Sequence, residues 1–417
     1  MVGIYGYRLI HYYRLENPKG SSLKDNLNLA SAIINKNQIV NSGNGLYFED
    51  NNYIFKGTAD NNYLYYSGIL WRIVKINQDQ SIKIISEESL TNLFNDQAKS
   101  LQKSILNTWM QDYLLPKLSH DEYLNTNPTC IDIVTNIDGK ACQKYLNNEK
   151  LGFLSIDEYV NALGKKSYLN NGRSWWLSNQ DDAQSRWYIN NEGGISNANN
   201  NLSHGLRVTV TLKNSITSLS GDGTLSNPFI IEQDHYQTLA DVKVGQYIKY
   251  SNYIWRIIDK DQSISKMVLD GVLDEKRAFS LNDNTFNSDS YNNIGYYLNN
   301  NFYQSLSNSE YIVSSNYFAG NYNLENNYDY RQTSNKTVVS KVGLLSIGNL
   351  FIDEYSNTVI MNPYNDEDII YTIDDNYHLY GDMITKNMGI RPVIALDNTL
   401  KIQSGQGSKK APWEISK

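Results

Sequence analysis

The feature that most constrains this chain is an internal repeat: five blocks recur in one order along its 417 residues. SGILWRIV at 67–74 returns as SNYIWRII at 251–258, which sets Trp71 against Trp255 and Arg72 against Arg256 at an offset of 184. WMQDYLLPKL (109–118) pairs with YLNNNFYQSL (297–306), and LGFLSIDEYV (151–160) with VGLLSIGNLF (342–351). SHGLRVTVTL (203–212) and SGDGTLSNPFII (220–231) return as NMGIRPVIAL (387–396) and SGQGSKKAPWEI (404–415), again 184 residues on. Self-similarity of this kind reads as one structural unit encoded twice. The chain then divides into a segment 1–45, a first repeat domain 46–232 and a second 233–417. The boundary falls in the polar stretch EQDHYQTLADVK. Two domains of this size also suit a chain too long for one ordinary core.

The blocks predict an α+β unit, strand-rich with one main helix. Tyr63–Tyr66, Ile69–Ile76 and Ser81–Ile85 read as strands, with NQDQ as a turn. Leu101, Ile105, Trp109 and Tyr113 recur every fourth residue, a helical stripe that ends near Pro116. GLRVTVTL alternates as a strand, and SGDGT is turn chemistry before a last short strand. Residues 20–35, SSLKDNLNLASAIINK, predict a further capped amphipathic helix.

Charge narrows the partners. The net charge is −7 and no basic run breaks the acidic balance, which argues against nucleic acid and against anionic membrane surfaces. Tyr (33) far outnumbers Phe (10). Tyr with Asn and Ser is the composition of adaptable recognition faces, but an AT-rich genome enriches the same residues. No apolar run is long enough to span a bilayer. The start, with Tyr5, Tyr7, Arg8, His11, Tyr12, Tyr13 and Arg14, looks like the outer end of a removed membrane anchor, or else an ordinary amphipathic N-terminal element.

The candidate chemistry is sparse. Five histidines (His11, His120, His204, His235, His378) are scattered, and no metal-ligand pattern, nucleotide fingerprint or nucleophile elbow appears. No cofactor and no metal is therefore expected, and no catalytic residue is assigned. His204 has Met388 as its counterpart, which favours packing over catalysis. The acidic stretch 362–375 can offer oxygen ligands to calcium, but it lacks the EF-hand spacing and reads equally as a solvated loop. Cys130 and Cys142 cannot build a four-thiolate zinc site. In an exported protein they can close a short loop as a disulfide; in a cytosolic one they stay free thiols. Arg72, Arg207, Arg256 and Arg391 recur at matched places and read, with Trp71 and Trp255, as structural anchors. Trp175, Trp176, Trp187 and Tyr188 fall on two expected strands, where alternation turns one of each pair outward to stack on a ligand. Core packing is the competing reading for all four. Direct alignment sets Trp175 and Trp176 against Val359 and Ile360, so this aromatic set belongs to the first repeat alone.

As a set, WRIV/WRII, WMQDYLL, GFLSIDEY/GLLSI, SWWLSN, the closing Gly-Φ-Arg strands and the SGDGT/SGQGS turns resemble a family of uncharacterised surface proteins of gut Firmicutes, built from repeats of a domain of unknown function. That family is similar to the C-type-lectin-like fold of formylglycine-generating-enzyme relatives. The resemblance implies an extracellular module held by an N-terminal transmembrane anchor that this sequence does not include. It would bind a surface glycan or protein without catalysis. The alternatives are an enzyme of that fold or a structural spacer. Formylglycine-generating enzymes use a reactive cysteine pair, whereas Cys130 and Cys142 lie in a loop that the second repeat does not reproduce.

Overall fold

A computed structural model describes residues 27–95, 100–135, 137, 142–182, 185–199, 202–321, 337–364 and 366–417. The aromatic and basic cluster at 5–14 and the start of the predicted 20–35 helix lie outside the described residues. The helix that is described begins later, at Leu29–Lys36, where Asn28 caps it by accepting the N–H groups of Ala30 and Ser31.

The chain is strand-rich with few helices and open sheets, an α+β architecture. In the first half a sheet runs in the order Gly45–Glu49, Asn52–Lys56, Ile69–Ile76, Ile82–Ser86, Val208–Leu212, Leu151–Phe153. The Tyr63–Tyr66 strand leaves this path, pairing with Ile69–Ile76 and, in parallel, with Phe229–Ile230. In the second half the order is Val342–Leu344, Pro392–Asp397, Ile264–Leu269, Tyr253–Lys260, Tyr247–Tyr250, Trp413–Ser416, Lys401–Ser404. Trp71 and Trp255 thus sit in separate sheets. Each indole N–H donates to a carbonyl five residues back, Tyr66 O and Tyr250 O.

Each half also carries a smaller sheet, mixed in the first half, where Trp175–Gln180 and Ser203–Leu206 run parallel, and antiparallel in the second. The first is ordered Ile195–Asn199, Ser185–Ile189, Trp175–Gln180, Ser203–Leu206, Thr91–Phe94; the second is Thr358–Pro363, Ile369–Ile373, Leu379–Met383. Hydrogen bonding corrects the direct alignment by one residue. Trp175 bridges Gly205 as Thr358 bridges Gly389, and Asn179 accepts Ile156 N–H as Asn362 accepts Ile347 N–H. Trp175 and Trp176 therefore stand where the second half has Thr358 and Val359. Since a one-residue slip exchanges the two faces of a strand, the difference matters.

The predicted helix at 101–113 is interrupted. A short 3₁₀ turn and one α turn (Ile105–Thr108) lead into a π segment at Trp109–Leu114, and the second half repeats the device at Tyr297–Phe302.

Along the seam between the halves, Trp109 Nε1 donates to Gly348 O (2.6 Å), Phe351 N to Leu90 O (2.7 Å) and Thr91 Oγ1 to Asn349 O (2.9 Å). Arg256 and Lys117 reach across to Glu88 (3.5 Å) and Asp259 (3.0 Å). One contiguous apolar cluster includes side chains of both halves, so the cores merge through this seam. The connector is fastened as well: Lys243 pairs with Glu232 at 2.8 Å, and Glu232 accepts the Ser67 N–H and the Ser119 hydroxyl.

Candidate functional site

The four aromatic candidates are not a free stacking face. Trp175 and Trp176 are fully buried and Trp187 nearly so; only Tyr188 is half-buried. Alternation failed as a guide to exposure because the strand has cover on both faces. Trp175 packs edge-on against Tyr159 with Arg207 over its ring, inside the first half. Trp176 faces the other way, donates to Leu93 O (2.8 Å) and packs against His204 (4.5 Å between centroids). Trp187 donates to Val134 O at 2.7 Å.

The four arginines are buried and point their forks at carbonyls. Arg207 reaches Ser86 O (2.9 Å) and Leu169 O (2.6 Å), and Arg391 reaches Leu269 O (3.3 Å) and Phe351 O (3.1 Å). Arg72 bonds Asn62 (2.7 Å), and Arg256 bonds Gly245 O (3.3 Å) and Glu354 (2.9 Å). These contacts tie neighbouring strands and loops together.

Cys130 and Cys142 are joined, with Cα atoms 5.9 Å apart. The bond staples a short hairpin, Thr129–Cys130 against Tyr145–Leu146. Beside that hairpin opens a polar groove of about 650 Å³ in the first half, lined among others by Asn52, Lys75, Asn77, Asp157, Glu158 and Tyr145. Its back wall is braced by Asn127, which bonds Thr209 and Thr211, and by Lys83, which pairs with Glu158 at 2.5 Å. Burial pushes the Glu158 carboxyl up, but the Lys83 and Lys75 charges outweigh it and hold the group below its ordinary range. Burial lowers the Lys75 ammonium and raises the Asp157 carboxyl. The Lys75 amine has no bonded partner among the described residues, and Tyr145 is 45% exposed. Ammonium, carboxyl, amide and an exposed ring around one hollow suit a ligand rich in both donors and acceptors.

A second constellation escaped the sequence reading. Ser174 stands between two imidazoles: His378 Nε2 and His204 Nδ1 each lie 3.0 Å from its hydroxyl oxygen. His378 comes from the second half, 204 positions away, so no local spacing could announce the meeting. The one trace in the sequence is the His204/Met388 asymmetry. Nucleophile, base and acid appear in order (Ser174, His378, Asp374), yet Asp374 stays 3.7 Å from His378 Nδ1, beyond hydrogen-bond reach. Its carboxylate instead accepts the backbone N–H groups of Asn376 (2.8 Å) and His378 (2.7 Å). The arrangement binds two halves together; it does not present an aligned nucleophile. No family model, curated protein or solved structure matches the chain.

Proposed function

We propose that this chain is an extracellular, surface-displayed binding protein of two tandem C-type-lectin-like copies, taking a glycan or surface-protein ligand in the groove of the first. The observation that carries the reading is the groove itself. It combines an ammonium with no bonded partner among the described residues, a protonatable carboxyl and an exposed tyrosine on a wall braced by internal hydrogen bonds. Hydroxyl-rich ligands are recognised by mixed donors and acceptors with one ring to stack on. The disulfide beside it favours an oxidising, exported setting. In this reading the N-terminal segment follows a membrane anchor, and the second copy serves as support. The matched Trp–carbonyl bonds, π segments and closing strands of the two halves favour descent from one unit.

Glycan and protein arrays probed with the whole chain test this directly. Tyr145→Ala and Lys75→Ala should each weaken a captured ligand by about 1–2 kcal/mol, roughly tenfold in Kd. Binding that survives both substitutions unchanged, or arrays that capture nothing, would overturn the proposal.

A further inference from the structure

The turn Asp374–His378 joins Ile369–Ile373 to Leu379–Met383 and reaches onto the first half. Leu379 N donates to Ser203 Oγ at 2.7 Å, Asn92 Nδ2 donates to Tyr377 O, and Arg173 lies over the Tyr377 ring at 4.2 Å. His378 completes the contact through Ser174 and sits edge-on to His204, with ring centroids 4.9 Å apart. Every one of these partners lies on or beside the small sheet of the first half that carries Trp176.

His204 is the group on which this contact turns. It is 2% exposed, stacks on Tyr188 at 3.9 Å, and has one nitrogen on Ser174; its Nε2 is buried without a partner among the described residues. The strand Thr91–Phe94 offers it no ionisable side chain, and Trp175–Gln180 offers only Trp176. Ser185–Ile189 brings Tyr188 and, two places back, the cation Arg186. From the docked turn come His378, Asp374 and Tyr377, with Arg173 beyond. Asp375 turns aside to Asn357. Among the described residues the nearby carboxylate is Asp374, which lies 3.7 Å from His378 Nδ1.

We propose that the Asp374–Leu379 turn is an acid-released clasp, closed over His204 while both imidazoles are neutral and freed when they charge. A serine hydroxyl satisfies two neutral imidazoles at once, donating to one and accepting from the other. Two imidazoliums would both donate to it, leaving its own proton without an acceptor and two like charges face to face. His378 tolerates a proton better, because Asp374 partly offsets the burial that lowers its imidazole. His204 does not: burial, then the neighbouring His378, hold its imidazole well below the usual histidine range. The released state lets both rings titrate normally, so release takes up about one proton more than the clasped state. Such linkage steepens opening by roughly tenfold per pH unit below about 6.5. The packing does not demand histidine here, since Met388 fills the matching place beside Gly389. Release would uncover the Trp176–Tyr188 face.

Backbone hydrogen exchange on the whole chain reads this out at the Leu379 amide. Between pH 7.5 and 5.0 its protection factor should fall by about ten per pH unit once below pH 6.5, while core amides such as Ile394 hold. His204→Met should keep the amide protected across that range. Protection that stays flat in the unaltered protein, or that falls equally in His204→Met, overturns the proposal. Should the variant fail to fold, ring NMR of the unaltered protein decides. A His204 that protonates near pH 6.5 while Leu379 remains protected also overturns it.

Discussion

Replacing Trp109 with Phe should uncouple the two halves measurably. Trp109 is fully buried, and its indole N–H is given to Gly348 O, a carbonyl of the other half. Phenylalanine keeps an aromatic ring in place but strands that acceptor, which costs about 1–3 kcal/mol. The ring atoms it lacks leave a void worth about 1 kcal/mol more. The sum is about 2–4 kcal/mol. Spread over the melting entropy of a chain this long, it lowers Tm by about 2–5 °C. Trp71→Phe is the matched control, because its N–H goes to Tyr66 O within its own half. Calorimetry should show one endotherm for the unaltered protein and for Trp71→Phe, and a broadened or divided one for Trp109→Phe. A drop of under about 1 °C, or equal broadening in both variants, would refute the idea that this bond couples the halves.

Reducing the Cys130–Cys142 bond, which closes a loop of separation 12, should cost on the order of 3 kcal/mol, read as a lower Tm with reductant than without. An unchanged melt would mean that the stapled hairpin adds nothing to stability. Burial holds the Asp353 carboxyl up at about 7, with Arg173 pulling it down and Glu88 and Glu354 pushing it further up. Its folded value lies above the unfolded one, so the folded state holds the extra proton between about pH 4 and 7 and loses stability as pH rises through that window. Asp353→Asn should therefore raise Tm at pH 8 by a margin that vanishes near pH 4; an equal effect at both values would contradict it.

The elements that were legible in the sequence are those specified by their own neighbours. Tyr63–Tyr66 and Ile69–Ile76 follow from alternating apolar residues around a Ser-Gly turn; the expected single strand GLRVTVTL is instead broken at Arg207, with Ser203–Leu206 and Val208–Leu212 pairing in different sheets. The π segment at Trp109–Leu114 was not legible, because a period of four fits an α-helix as well. Burial of both Trp175 and Trp176 was hidden for another reason. What covers Trp176 includes His204 and, behind it, a turn some two hundred residues later in the chain. Ser174 and His378 were invisible on the same ground: their bond depends on how the halves dock, which no local pattern encodes. The disulfide partners, twelve positions apart, sit within reach of local reasoning.

The last strand of each half lies parallel to an early strand of the same half: Phe229–Ile230 beside Tyr63–Tyr66, and Trp413–Ser416 beside Tyr247–Tyr250. Consider tension that enters such a unit at its beginning and leaves at its end. Parallel neighbours are then drawn in opposite directions along one axis, so their hydrogen bonds are strained together rather than opened in turn. Trp413, buried against Tyr236 with rings 4.5 Å apart, adds an apolar wedge to the second of these pairs. Short ladders in this geometry resist pulling far better than their length implies. A chain pulled from both ends would meet that resistance once in each half, inside the larger sheet to which each pair belongs.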